Sequence, residues 1–281
     1  DIGVKRISAR KERVSPVNNH FVQELIDRFQ IEQKKNDRSG VYAITQRMLA
    51  YNSNKIEGST LTEKQTASLF DTGTLSAEDA LIRAKDVEEM TGHFLMFNEM
   101  LKTYDQPLSH ELIKRYHYKL KSGVFEDIAN GYPIEEYKNR RNRVSDIVTA
   151  LPEEVEARMT ELLAGYNALP QHTLTDLAKF HAEYEMIHPF QDGNGRTGRV
   201  ILFKECLKNG LVPFVISDDK KIEYYHALNT AQSKGDYAPL EAFFVEEQTD
   251  YYQQVEGFVL PFDAARTAAR SRKQKTEEIE R

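Results

Sequence analysis

The sequence predicts an all-α fold carrying one small β-hairpin. Three observations predict it. Apolar residues recur at spacings of three and four through most of the 281 residues, the signature of one-faced helices. Ser, Pro and Gly stand where helix ends need them. Only between Pro133 and Pro152 does the period change, where Tyr137, Arg140, Val144, Ile147 and Val148 lie among polar residues in a stretch too short and broken for a helix.

The elements follow in order. Residues 1–20 are polar and irregular and read as an arm laid on the body. Phe21, Leu25, Ile26 and Phe29 predict a first helix to about Lys34, ended by the turn-rich residues 36–40. Ile44, Met48 and Tyr51 face one way on a second helix, which Gly58 stops just after Glu57. From Leu61 to Tyr104 the pattern stays helical, with Leu81, Val87, Met90, Phe94, Phe97 and Leu101 at helical spacings. Ser109 is a good N-cap for a helix beginning at His110, whose Leu112, Ile113, Tyr116 and Leu120 form a buried stripe that Gly123 closes. After the hairpin, Pro152 with Glu153 and Glu154 starts a helix whose acidic first turn suits the dipole, and Val155, Met159, Leu162, Leu163 and Tyr166 give its core face. Leu177, Phe180, Tyr184 and Ile187 mark a helix that Pro189 must end, which leaves His188 at its C-terminal lip. Residues 200–207 are apolar nearly all round, so a buried helix starts near Asn194 or Gly195 and is capped by Gly210. Residues 222–232 form another helix, and Leu240, Phe243, Phe244, Tyr251, Tyr252 and Phe258 finish the packing. The charged tail, residues 264–281, reads as an exposed helix, a disordered end or a lead into something further.

Composition bounds the function classes. Lys and Arg total 38 against 44 Asp and Glu, a net charge of −6, so the chain has no electrostatic footprint for nucleic acid. The single cysteine, Cys206, excludes an internal disulfide framework and sits in an apolar helix as a small hydrophobe. No apolar run approaches the 20 or so residues of a membrane span, and the first residues lack a signal-peptide core, which predicts a soluble, cytoplasmic protein without membrane partners.

Residues 188–199, HPFQDGNGRTGR, exceed what any core requires. Gly193 and Gly195 can adopt backbone angles closed to other residues, so their N–H groups can turn toward one point at the positive end of the following helix, a site for phosphate. Arg196 and Arg199 lie one turn apart on the same side and can reach an anion there. Asp192 offers a hard oxygen for Mg²⁺, Asn194 a neutral amide to orient the phosphates, and His188 a base. Ser53 and Glu57 are four apart on one helix face and can point together into a neighbouring pocket. A different reading, a metal hydrolase, takes His181, Glu185 and His188 at i, i+4 and i+7, although the HExxH order is missing.

The run resembles the Fic-domain signature HxFx(D/E)GNGRxxR, with every fixed position filled. It does not match the sister branch of kinase-like toxins, which replaces both loop glycines. The resemblance implies a Fic-type helical core with a hairpin flap and an N-terminal helical arm. It also implies transfer of AMP from ATP to a Ser, Thr or Tyr hydroxyl of a target protein. By that resemblance His188 takes the proton, Phe190 anchors the loop and Asp192 holds Mg²⁺. Gly193, Asn194 and Gly195 cradle the anion, and Arg196 and Arg199 bind the β- and γ-phosphates. Residues 53–58, SNKIEG, resemble the family's inhibitory motif (S/T)xxxE(G/N), which makes Ser53 and Glu57 an inhibitor in the same chain. Residues 108–123 look like the first helix of the Fic core, and the hairpin like the flap that pairs with the target's backbone. Residues 222–232 resemble the adenine-pocket wall, with Tyr225 and Gln232 offering an aromatic plane and an amide. The implied division is 1–104 for the inhibitory helical region, 105–250 for the catalytic core and 251–281 for a C-terminal helical extension or tail. The expected partner is a target protein presenting a hydroxyl at the flap, and the sequence leaves a homo-oligomer open. Removal of AMP from a modified target, or a nucleotide-binding regulatory or toxin-type module without turnover, would use the same residues.

Overall fold

The structure is a computed structural model that describes residues 19–75, 81–144 and 147–279. The expected arm lies outside the described residues up to residue 18. Two helices lead: α1 (Asn19–Lys35) and α2 (Val41–Ile56). Glu57 caps the end of α2, and Gly58 takes the left-handed φ of 89° that the sharp exit requires.

The helical pattern from Leu61 to Tyr104 is divided between two helices, α3 (Glu63–Thr72) and α4 (Ala84–Lys102). Thr62 starts α3 with a full capping box to Gln65, and Gly73 ends it in the left-handed region at φ 70°. Leu81 falls between the two helices and is 93% exposed, so it does not share the helical spacing of Met90, Phe94, Phe97 and Leu101.

α5 (His110–Lys121) begins where Ser109 Oγ accepts the Leu112 N–H at 3.1 Å, as the sequence indicates. α4 and α5 pack very closely, because Gly92 has no Cβ: one placed there would lie 2.0 Å from the Leu120 carbonyl oxygen. A short α6 (Phe125–Ala129) follows. The hairpin is present but small, with β1 (Arg143–Val144) antiparallel to β2 (Ile147–Val148) and Arg143 paired with Val148.

Then come α7 (Pro152–Asn167), α8 (Leu174–Ile187) and α9 (Asn194–Lys208). A 3₁₀ turn (Asp218–Lys220) leads into α10 (Lys221–Lys234) and a long α11 (Ala238–Ile279). Tyr251, Val255 and Val259 of α11 are buried in the same core as Phe21, Leu25 and Phe29 of α1 and Val200, Phe203 and Cys206 of α9. A boundary at 250/251 therefore cuts a continuous helix, and one at 104/105 separates α4 from its main packing partner α5. α9 is buried almost throughout because α2, α4, α5 and α8 surround it, so the loop at its N-terminus has a rigid base.

Candidate active site

The α8–α9 loop is built by its own side chains. His188 caps α8 with the left-handed angles φ 51° and ψ 63°, its N–H still donating to the Tyr184 carbonyl at 2.9 Å. Pro189 then takes the chain out of the helix, and its carbonyl accepts the Lys138 N–H at 2.8 Å. Phe190 is fully buried and stacks on His117 with ring centroids 3.8 Å apart. Its backbone is held by Asn194, whose Oδ1 accepts the Phe190 N–H at 2.7 Å and whose Nδ2 donates to the Phe190 carbonyl at 2.8 Å. The Asn194 side chain is thus spent inside the loop, and the expectation that its amide orients phosphates is corrected on that ground. Gly193 sits at φ 85°, open only to glycine at little cost, and donates its N–H to Asp192 Oδ1 at 2.8 Å.

The His188 side chain is 16% exposed. Burial, with the nearby Lys138 charge, pushes its pKa down to about 4, so the imidazole is neutral at physiological pH. Glu185 Oε2 lies 3.8 Å from its Nδ1. Burial raises the Glu185 carboxyl to about 8. His181 faces elsewhere, its Nε2 bonded to the Tyr224 hydroxyl at 2.7 Å, so His181, Glu185 and His188 do not converge on one ion.

Ser53 and Glu57 both reach α9. Arg199, 3% exposed, donates from Nε to Ser53 Oγ at 2.9 Å, from a terminal nitrogen to the Ser53 carbonyl at 3.0 Å, and from the same nitrogen to Glu57 Oε1 at 2.6 Å. The helix-face reading of these two residues therefore describes the contact that forms. Burial pushes the Glu57 carboxyl up, but the Arg199 and Arg196 charges outweigh it and hold the group below the usual range. Glu57 Oε1 also rests against Gly195, 2.3 Å from where a Cβ would be, so a carboxylate occupies the start of α9 where an anion is expected.

Asp192 lies beside this contact. Its Oδ2 accepts from Lys121 Nζ at 2.7 Å and has Lys85 Nζ at 3.6 Å, and its Oδ1 has Arg196 at 3.4 Å. Burial acts to raise its pKa, yet the charges of Arg196, Lys121 and Lys85 hold it far below the carboxylate range. Arg196 is 2% exposed and pairs with Glu89, and it also donates to Asn54 Oδ1 at 3.3 Å. A polar pocket of about 230 Å³ opens here, bordered by Glu57, Lys85, Asp192 and Arg196.

On α10 Tyr225 is 39% exposed, with its ring tilted against Tyr224 at 5.2 Å and the Lys221 ammonium 5.9 Å from its centroid. Gln232 is less free than expected, because its Nε2 already donates to the Ala182 carbonyl of α8 at 3.1 Å. Only its buried Oε1 lacks a partner.

Residues 107–205, which contain the loop, match the Fic/DOC family model. The chain carries a Fic domain. The fold agrees: a Fic domain containing signaling protein from Bacteroides thetaiotaomicron superposes with a TM-score of 0.62, covering 86% of this chain and 93% of that one at 24% identity. Fic-1 from C. elegans gives a TM-score of 0.63 over 89% of this chain and 72% of that one, at 20% identity. By sequence, the chain is 25% identical over 253 residues to protein adenylyltransferase Fic of Nematostella vectensis, covering 85% of this chain and 57% of that protein. For protein adenylyltransferase fic-1 of Caenorhabditis elegans the identity is 24%, over 84% of this chain and 46% of that protein. The chain thus spans about half the length of the curated relatives it matches.

Around the Fic loop the structure adds residues that the sequence did not single out, Lys85, Glu89, Lys121 and Asp127 about Asp192 and Lys138 about His188, and it sets Glu185 beside His188 without the metal-ligand set. For Glu89, Lys121 and Asp127 the only signal in the sequence was a charge at a buried helical position, as at Lys121 on the stripe side of α5; Lys138, outside any helix, and the half-buried Lys85 had none.

Proposed function

We propose that this Fic protein transfers AMP from ATP to a hydroxyl side chain of a target protein and that Glu57 holds it in an inhibited state. One observation carries the reading: the Glu57 carboxylate is bound to Arg199 in the first turns of α9 and rests against Gly195, and its charge is felt by the neutral, buried His188 at the other end of the same loop. A residue that only stabilised the fold would have no reason to place a carboxylate on an anion cradle beside a base.

With Glu57 displaced, Arg199, Arg196 and the first N–H groups of α9 gather positive charge on one side of the loop, suited to the β- and γ-phosphates. Tyr225, close enough to Arg199 and Glu57 to feel their charges, would border the nucleoside. His188 accepts the proton of the target hydroxyl as its oxygen attacks the α-phosphorus. The new P–O bond forms in line with the bond that breaks to the β-phosphate, and pyrophosphate leaves. Being neutral, the imidazole can take that proton. The hairpin beside the loop would align the target's backbone.

Asp192 fits a Mg²⁺ ion: its carboxylate is ionised, its side chain is 37% exposed, and it borders the polar pocket. One carboxylate with phosphate oxygens and waters is a common way of holding this ion, which would neutralise charge on the phosphates. In this reading residues 105–250 carry the catalytic groups and residues 1–104 the inhibitory ones, although α11 runs on past residue 250 and α4 packs against α5, so the two are parts of one packed body. The test is incubation of Glu57→Gly with cell lysate and ATP labelled at either the α- or the γ-phosphorus. Label entering protein from the α-position alone is expected. Label from the γ-position, or from neither, would overturn the assignment.

A further inference from the structure

Beneath the pocket, Glu89 of α4, Asp127 of α6 and Asp192 of the loop each present a carboxylate oxygen, all within 4.8 Å of one another. Such a trio is the usual frame for a divalent cation. Here the centre is filled by a side chain. Lys121 Nζ lies 2.6 Å from Glu89 Oε1, 2.5 Å from Asp127 Oδ2 and 2.7 Å from Asp192 Oδ2, and its side chain is 2% exposed.

We propose that Lys121 is a resident cation standing where a second metal ion would sit, and that it positions Asp192 so that a divalent ion enters only together with nucleotide. The clause about Asp192 rests on the reading of that residue as the metal ligand.

Several features carry the inference. Lys121 is the last residue of α5, where the helix dipole favours a cation, and the close packing allowed by Gly92 brings that end against α4 and Glu89. The charges balance in space. Arg196 meets Glu89 and Asp192, Lys85 meets Asp127 at 3.8 Å and Asp192 at 3.6 Å, and Lys121 meets all three carboxylates. Three acidic groups thus face three basic ones, and Lys85 also meets the exposed Glu126 at 3.4 Å on the solvent side. Lys121 has no exit, because its ammonium is buried and fully engaged. Lys85 differs: its side chain is 30% exposed, it borders the pocket, and it is the cation that an ion arriving at Asp192 can displace.

The consequence concerns order. Lys121 ties down Oδ2 and the Gly193 N–H ties down Oδ1, so Asp192 is oriented before any ligand arrives. Its charge is already answered by cations, so by itself it holds a divalent ion weakly. Phosphate oxygens must complete the site. With Lys121 absent, three carboxylates would have one cation too few and would capture a divalent ion too deep in the protein to serve the nucleotide.

The experiment compares the full chain with its Lys121→Met variant by titrating Mn²⁺ without nucleotide and following the free-ion electron paramagnetic resonance signal. The parent should take up no Mn²⁺ in the micromolar range. Lys121→Met should bind one ion per chain, at least about 100-fold more tightly than the parent, and lose it when Asp127→Asn is added. Indifference of Lys121→Met to Mn²⁺, or equal uptake by the parent, overturns the proposal. Neither nucleotide nor target is present, so failure here is distinct from failure of the transferase reading. Should Lys121→Met not fold even with Mn²⁺, Asp127→Asn alone decides in the Glu57→Gly background. Lys121 then has one anion fewer and draws harder on Asp192, so the Mg²⁺ needed for half-maximal binding of a fluorescent ATP analogue should rise about threefold or more. An unchanged Mg²⁺ requirement refutes it.

Discussion

Replacing Glu57 by Gln keeps the shape of the side chain and removes its charge. The carboxylate accepts from Arg199 at 2.6 Å, with Arg199 3% exposed and the Glu57 side chain 31% exposed. Hydrogen bonds to charged groups contribute about 1.5–3 kcal/mol, and the partial exposure of Glu57 puts this one near the lower end. If the γ-phosphate takes the same guanidinium, ATP must first displace Glu57 and overcome its repulsion. Relief of about 1.4 kcal/mol is a factor of ten in affinity. The dissociation constant of a non-hydrolysable ATP analogue, measured by calorimetry at fixed Mg²⁺, should therefore fall about tenfold in Glu57→Gln. Agreement of parent and variant within about twofold would mean that Glu57 and the triphosphate do not compete, and the inhibitory reasoning would fail.

Other substitutions separate the roles around the loop. His188→Ala should bind the ATP analogue as its parent does while AMP transfer falls by roughly 10²–10⁴, since the imidazole meets the incoming hydroxyl and not the phosphates. Ser53→Ala removes the 2.9 Å bond to Arg199 Nε and loosens the same contact as Glu57→Gly, so initial transfer rates should rise about fivefold, for roughly 1 kcal/mol. The pH profile of kcat/KM should stay flat through the ordinary histidine range and fall only toward about 4, because burial and then Lys138 disfavour protonated His188. Lys138→Met removes the second cause, so the acid limb should move to higher pH; an unmoved limb would exclude Lys138 from the electrostatics of the base.

How far the sequence reached depends on the range of each interaction. Within one turn it reached far: Ser109 caps α5, Pro152 opens α7, and Ser53 and Glu57 present one face because four residues make about one turn. The α3–α4 break was also written locally, in the Thr62–Gln65 box and Gly73, but the continuing apolar spacing masked it. Across long separations the sequence was silent. Lys121 meets Glu89 and Asp192 only because α4, α5 and the loop pack together, and no spacing encodes that. Asn194 was misjudged for a related reason: an amide in an anion loop can face the ligand or the loop's own backbone, and the two free backbone groups of Phe190 claim it. The end of the core was also unreadable at residue 250, because α11 continues through it without a cap.

The most direct measurement is the initial rate of labelled AMP incorporation into protein by the parent, by Glu57→Gly and by the Glu57→Gly, His188→Ala double variant. Glu57→Gly should exceed the parent at least about tenfold, which needs only about 1.4 kcal/mol of relief, and the double variant should fall to background. Equal rates in the parent and Glu57→Gly would contradict inhibition by Glu57, and transfer surviving in the double variant would contradict His188 as the base.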